Sequence, residues 1–531
     1  MPHDGAPVTN GALFIALALC LVPPFAIGTK PPVWNELRTR PLLALVFVLA
    51  AVGGLTGFAW LHARYAWFLP LVSGGAVACA LGLWWRARPG WGTARGLPPG
   101  SLGVGASLDA ITHQDFYARR AAELGPVFKM AQFHRPVVVV TDLQLGLAVM
   151  ESERANLTQP RLPFGRLSPG DYLEFMNDER HAHYRAILRT ALSGRVVNEC
   201  RDGVARVVRE QLGRMALSSG AQQVSPDGCL KRIAFVSMLR VICGVSVDDP
   251  RIDALQQHFD ELGTIRFFTE RRPEERAEPF AHLVGLVRGM AEDVRAQLAR
   301  GDVPERSVLS EIVRADEQHI ADDTLLGNLV LIVHVTRSNV QGLLRWAFKE
   351  LFAHPECVIP LRDAASQSAE GRSRVEALAS NFVSEVLRLH QSEYFYREVT
   401  REIRVGDFHV PPGWLLRVAV REAHDNPDVF PEPGAFRPER FASRHYQKTE
   451  YCPFSDGAHS CFGAGLALMI ARVLVSELAI EFDGRVVADG PAERDGNRHW
   501  SHWRPSRRFR VSLASRGRAD EAAPITTPAS G

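Results

Sequence analysis

Phe454-Ser455-Asp456-Gly457-Ala458-His459-Ser460-Cys461-Phe462-Gly463 runs straight into the apolar segment 464–480, AGLALMIARVLVSELAI. Two glycines flank a cysteine that stands at the mouth of a predicted helix. Glycine permits tight backbone turns and lets a flat ligand approach the main chain closely. A helix starting just past Cys461 points free N–H groups and a partial positive charge at the sulfur, which favours the thiolate. A thiolate in that position is a strong axial donor to iron. His459, two residues earlier, is placed to reach a peripheral carboxylate of the same ligand. Cys20, Cys79, Cys200, Cys229, Cys243, Cys357 and Cys452 have no comparable setting and read as small buried apolar residues.

Working upstream, an E-x-x-R pair begins at Glu151, Glu292, Glu311, Glu385 and Glu398, so the pair alone carries little information. The copy at Glu385-Val-Leu-Arg388 lies 76 residues before Cys461. A carboxylate and a guanidinium one turn apart share a helix face and can lock a core together. Between the two lies 423–436, AHDNPDVFPEPGAF, continuing as Arg437-Pro438-Glu439-Arg440-Phe441. Farther upstream, Asp178-Glu-Arg-His181-Ala-His-Tyr-Arg185 puts His181 and Arg185 on one helical face.

The spacing F-x-x-G-x-x-x-C-x-G resembles the haem-binding loop of the cytochrome P-450 superfamily, and the likeness extends over nearly all of the chain after residue 100. The resemblance implies a mainly α fold, a helical haem domain with small β-sheets, holding haem b through the Cys461 thiolate. Phe454 and Gly463 belong to the cofactor loop. His181 and Arg185 match a helix that holds a haem propionate, and Arg397 matches a further propionate-binding arginine. Glu385, Arg388 and Arg440 match the superfamily's structural cluster, which ties down the segment before the cysteine loop.

The superfamily's long distal helix carries a small residue, a Gly, then an acid–Thr pair. Trp346 and His354-Pro355-Glu356 set the register, and counting back reaches Val335-Thr336-Arg337-Ser338-Asn339. Ser338 replaces the acid, Asn339 the threonine, and Thr336 stands where Gly is usual. The acid and alcohol organise water to deliver protons; an amide hydrogen-bonds but does not ionise usefully near neutrality. Asn339 therefore reads as an orienting group. The run resembles the corresponding helix of prostacyclin synthase and of related bile-acid hydroxylases, and allene oxide synthases also lack the usual pair. Arg337 either meets a substrate carboxylate or faces a neighbouring helix. Two chemistries stay open: a monooxygenase using O2 and electrons from a separate reductase or ferredoxin, and an isomerase, dehydratase or peroxygenase acting on a preformed peroxide. A non-catalytic haem protein is a third.

Composition agrees with a globular enzyme. The chain has 531 residues, 46% hydrophobic and 23% charged, which excludes a disordered or collagen-like chain. A net charge of +2 implies no nucleic-acid partner, since such binders carry a basic excess. Eight scattered cysteines are no disulfide framework.

The first ninety residues differ. Stretches 11–28, 41–60 and 66–85 are apolar, the last two without a charge over twenty residues each. About twenty such residues cross a bilayer, so 1–90 reads as a membrane anchor of two or three transmembrane helices. Lys30, Arg38 and Arg40 before the second stretch and Arg86, Arg88 and Arg95 after the third predict a cytoplasmic catalytic domain. Asp4 argues against a cleaved signal peptide. Residues 91–105, with Pro98-Pro99-Gly100, read as a linker, 106–514 as the catalytic domain, and 515–531 as a disordered tail. The expected partners are a lipophilic small molecule, the electron donor and membrane lipid.

Amphipathic periodicity predicts helices over 113–124, 178–192, 201–216, 252–264, 280–300, 323–352, 373–389 and 464–480. Strands are expected over 137–141, 414–420 and 509–513.

Overall fold

The computed structural model describes residues 96–516 apart from 133–134, 161–171, 174–175, 177, 220–222, 263–272, 317–321, 368, 392–393 and 495–502, together with Arg64, Gly74 and Gly75. The three apolar N-terminal stretches lie outside the described residues, Gly74 and Gly75 excepted. Among the described residues no helix is long and apolar enough to cross a membrane.

The chain divides into two compact units. The described part of the first runs to Pro160 and returns over Tyr394–Ala423. Its frame is a six-stranded sheet. The strands β1 (Gly100–Ser101), β2 (Val127–Gln132), β3 (Arg135–Val140), β4 (Leu157–Thr158), β5 (Phe395–Val399) and β8 (Leu415–Val418) lie in the order β1-β2-β3-β8-β5-β4. The hairpin β6 (Ile403–Val405) and β7 (Phe408–Val410) stands beside it. Val137 to Val140 are fully buried, the continuous apolar run expected of a strand covered on both faces. Helices α1 (Val104–Thr112), α2 (Phe116–Leu124) and α3 (Leu143–Ser152) complete the unit. Arg417 is buried between the rings of Tyr117 and Tyr394, 3.9 Å from each centroid, and donates to Tyr396 Oη at 2.8 Å.

The described part of the segment read as a linker, from Gly96 onward, hydrogen-bonds to this sheet. His409 N donates to Gly96 O at 2.9 Å, Lys129 N to Pro99 O at 2.7 Å, and Lys129 Nζ to Pro98 O at 2.6 Å. Gly100 adopts φ +117°, and a Cβ there would lie 2.2 Å from Lys129 O, so only glycine permits this approach. The Pro-Pro-Gly sequence stops a helix, but its carbonyls remain available to a neighbouring strand.

The second unit comprises 164–393 and 424–531 and is helical. Its longer helices are α4 (Asp178–Ala191), α5 (Gly194–Glu199), α6 (Arg201–Ser219), α7 (Asp227–Cys243), α8 (Ile252–Glu261), α9 (Pro273–Ala299), α10 (Val308–Ala315), α11 (Asp323–Ala353), α12 (Val358–Ala365), α13 (Ala369–Val386) and α14 (Ala464–Glu481). The antiparallel pairs β9 (Phe482–Ala488) with β12 (Arg510–Ser515) and β10 (Glu493–Arg494) with β11 (Trp503–Arg504) close its C-terminal part. Strand β12 extends through Ser515, the first residue of the expected tail. One apolar core joins α6, α7, α11, α13 and α14. Helix α11 crosses it, capped by Asp322, whose carboxylate accepts from Thr324 N and Leu325 N. Residues 387–391 continue α13 as a π-helical turn carrying Arg388.

Candidate functional site

The cysteine loop hangs between Cys452 and the start of α14. Cys461 N donates to Phe454 O at 2.8 Å, closing the loop on itself. Ser455 and Gly457 both take left-handed φ values, 60° and 76°. That pair of turns folds the chain back so that the cysteine arrives at the helix mouth. Cys461 is a free thiol and exposed, whereas Cys200, Cys243 and Cys452 are buried. The surrounding walls are nevertheless close. Burial raises the thiol above its ordinary pKa, against the opposing pull of the Gly463 N–H and the Arg185 charge. A sulfur that is exposed yet largely walled in lies in a recess. A Cβ at Gly457 or Gly463 would meet no protein atom within 4 Å, so the loop borders open space.

Helix α4 supplies the adjoining side. Arg185 donates through Nη2 to Ser460 O at 2.9 Å and to Ser460 Oγ at 3.1 Å, so it reaches the residue next to the cysteine. One turn earlier, His181 is buried and its ring lies 4.3 Å from that of His459, tilted by 34°. The structure thus brings His181, Arg185, His459, Cys461 and Gly463 together. It places Arg397 in the other unit, on β5, donating through Nη1 to Tyr396 O at 2.7 Å and to Gln159 Oε1 at 3.4 Å.

Glu385 is a buried hub. Its Oε2 accepts from Arg388 Nε at 2.8 Å; its Oε1 accepts from Arg388 Nη2 at 2.8 Å, Arg437 N at 2.9 Å and Arg440 Nε at 3.1 Å. Arg388 passes on to three carbonyls, those of His424 at 3.0 Å, Pro433 at 2.7 Å and Ala435 at 3.3 Å. Arg440 adds Pro431 O at 3.1 Å. One ion cluster therefore pins residues 424–440 to helix α13. Of the remaining E-x-x-R acids, Glu398 pairs with Arg135 and Glu311 with Arg306, outside any such cluster.

Helix α11 is buried from Leu325 to His334 and again at Val340. Val335, Thr336, Arg337 and Ser338 are half-buried and Asn339 is exposed. These five consecutive accessible residues interrupt an otherwise buried helix. Ser338 Oγ donates to Val335 O at 3.2 Å, the back-bond of a helical serine. Arg337 turns to α8, donating to Asp260 Oδ1 at 2.7 Å and Phe259 O at 2.9 Å. Of its two sequence readings, the helix-facing one describes this geometry.

His424 was invisible as a site residue from sequence. Its Nε2 accepts from Cys452 N at 3.0 Å inside a fully buried pocket. A histidine in a Pro-rich irregular stretch has no periodic signal to single it out.

The family model for cytochrome P450 matches residues 102–497. The chain belongs to the cytochrome P450 family. Family membership makes it an oxidoreductase of the monooxygenase type, with haem held by a cysteine thiolate. Abscisic acid 8'-hydroxylase 3 of rice (Oryza sativa) is 25% identical over 417 residues, covering 74% of this chain and 82% of the rice protein. Cytochrome P450 26B1 of Xenopus tropicalis is 24% identical, covering 72% and 80%. Among solved structures, a retinoic acid bound cyanobacterial CYP120A1 superposes with a TM-score of 0.65 at 21% identity, covering 79% of this chain and 99% of that one. The last likeness is one of fold.

The residues present fit the P450 cofactor. The exposed thiol, its Gly463 N–H, the open space beside both loop glycines and the Arg185 cation make a recess for a flat, anion-bearing ligand.

Proposed function

We propose that this P450 is a membrane-anchored haem-thiolate monooxygenase that hydroxylates a lipophilic small molecule, RH + O2 + 2 e− + 2 H+ giving ROH + H2O. Residues 1–90 are its multi-pass membrane anchor, 106–514 its cytoplasm-facing catalytic domain, and a separate reductase or ferredoxin its electron donor. The relatives named for abscisic acid hydroxylation support the substrate class, and the observation that carries the reading is the free Cys461 thiol in its walled recess.

Haem, when bound, supplies the activation of O2. The protein supplies the rest. Cys461 donates the thiolate, and the Gly463 N–H and Arg185 offset part of the cost of burying its charge. Arg185, His181 and His459 hold propionate. Phe454 fixes the Cys461 amide through its carbonyl. Glu385, Arg388 and Arg440 keep the preceding segment in place. Thr336, Ser338 and Asn339 line the opposite wall, where Asn339 orients substrate or water through its amide and protons come from solvent instead of a carboxylate relay.

Substrate turnover with a reductase and NAD(P)H, set against turnover with a hydroperoxide alone, tests the reading. Dependence on reductant supports it. Efficient turnover with peroxide and no reductant replaces it with a peroxide-rearranging or peroxygenase activity, the reading that the Ser338-Asn339 exchange favours.

A further inference from the structure

We infer that His424 is a positioning residue for Cys461, acting as a neutral hydrogen-bond acceptor that couples the Glu385–Arg388 cluster to the cysteine loop. The inference rests on Cys461 being the thiolate donor. Two bonds meet at His424: its carbonyl accepts from Arg388 Nη1 at 3.0 Å, and its ring Nε2 accepts from Cys452 N at 3.0 Å. The residue after Cys452 is Pro453, whose ring locks φ. Fixing the Cys452 amide therefore narrows the directions open to Phe454, and Phe454 O holds Cys461 N at 2.8 Å. From Glu385 to the sulfur-bearing residue the path is thus three side-chain links, the short Cys452–Pro453–Phe454 backbone and one backbone hydrogen bond.

The chemistry demands one protonation state. An imidazole that accepts at Nε2 carries its proton on Nδ1. His424 Nδ1 is buried with no partner among the described residues, and Arg388 stands close enough to repel a charge on the ring. Burial and that arginine push the ring's pKa down to about 3, so it remains an acceptor at any working pH. The ring is stacked on Tyr451, centroids 5.0 Å apart, and set edge-on to Phe430 at 6.0 Å. The loop has other ties: Tyr451 Oη donates to Ser384 O at 2.9 Å, and Lys448 pairs with Asp456. Those hold it to the protein without touching the Cys452 amide, which is why His424 acts on the register of the cysteine and not on whether the loop is present.

The test compares His424→Gln with His424→Phe in the full-length holoprotein. Glutamine places an amide oxygen where Nε2 accepts; phenylalanine keeps the ring stacking but cannot accept. The readout is the ferrous–CO Soret band, whose red-shifted form reports thiolate ligation, alongside haem content. The expected result is a near wild-type band for His424→Gln. For His424→Phe, haem uptake persists while about half or more of the CO complex loses the thiolate form. Equal spectra for wild type and His424→Phe overturn the inference, as does equal loss in both variants, which assigns the effect to ring packing. Should His424→Phe not fold, 15N spectra of the diamagnetic ferrous–CO wild type decide. An unprotonated Nε2 at pH 6 supports the inference and a doubly protonated ring overturns it. A wild-type holoprotein without the thiolate band instead removes the Cys461 reading itself.

Discussion

Glu385 and Cys461 sit at the two ends of one short network, and their surroundings are opposite. Glu385 is fully buried and both oxygens are taken, by four donors from three residues. Cys461 is open, with the Gly463 backbone N–H aimed at its sulfur and the Arg185 guanidinium held on the neighbouring Ser460. Saturation suits a part that must not move, because a buried charge with one bond missing is costly. Incompleteness suits a part that must accept a ligand, since a group whose bonding is already satisfied has nothing to offer an incoming atom. The contrast teaches that the rigid ion cluster and the reactive sulfur are separate tasks connected by residues 424–461.

Breaking the open end is the most severe test. Cys461→Ala abolishes thiolate ligation, and the red-shifted ferrous–CO band disappears from the variant; a band that persists assigns the ligand elsewhere. Breaking the closed end comes next. Glu385→Ala leaves Arg388 and Arg440 buried without their carboxylate and lowers stability by about 3–5 kcal/mol, measured by denaturant midpoint. An effect under about 1 kcal/mol means that the cluster is not the clamp its geometry describes.

A third prediction sharpens the link between the ends. The folded protein holds His424 neutral down to about pH 3, whereas the unfolded chain takes up the proton near the ordinary histidine value of 6.5. The unfolded state therefore binds more protons across that window, and stability contributed by this group falls as pH drops from about 6.5 toward 3. Chemical denaturation between about pH 7 and 4 measures the slope, which is shallower in His424→Gln. The smallest effect is at the cavity wall. Asn339→Thr changes the fraction of electrons ending in product while leaving haem content constant; equal loss of both gives Asn339 a supporting role in α11.

Much of this was legible beforehand where one face of an element is apolar. The periodicity over 323–352 and 464–480 places α11 and α14 within a residue of their observed ends. Helix α7 left no such trace, because from Leu230 to Cys243 nearly every side chain is buried and no polar stripe alternates with the apolar one. The cysteine loop was readable from its spacing, since each glycine answers a steric need. The partners of its neighbours were not. Nothing in the sequence pairs Arg185 with Ser460, Arg337 with Asp260 or His424 with Cys452, for these bonds join residues far apart in the chain and depend on packing alone. Likewise, Pro98-Pro99-Gly100 announces a helix stop but not that Lys129 will seize both prolyl carbonyls.

That grip gives the joint a mechanical character. A proline pair lashed at both carbonyls to an interior strand behaves as a bracket, not a swivel. A pull at Gly96 is delivered to the six-stranded sheet instead of being dissipated in the joint.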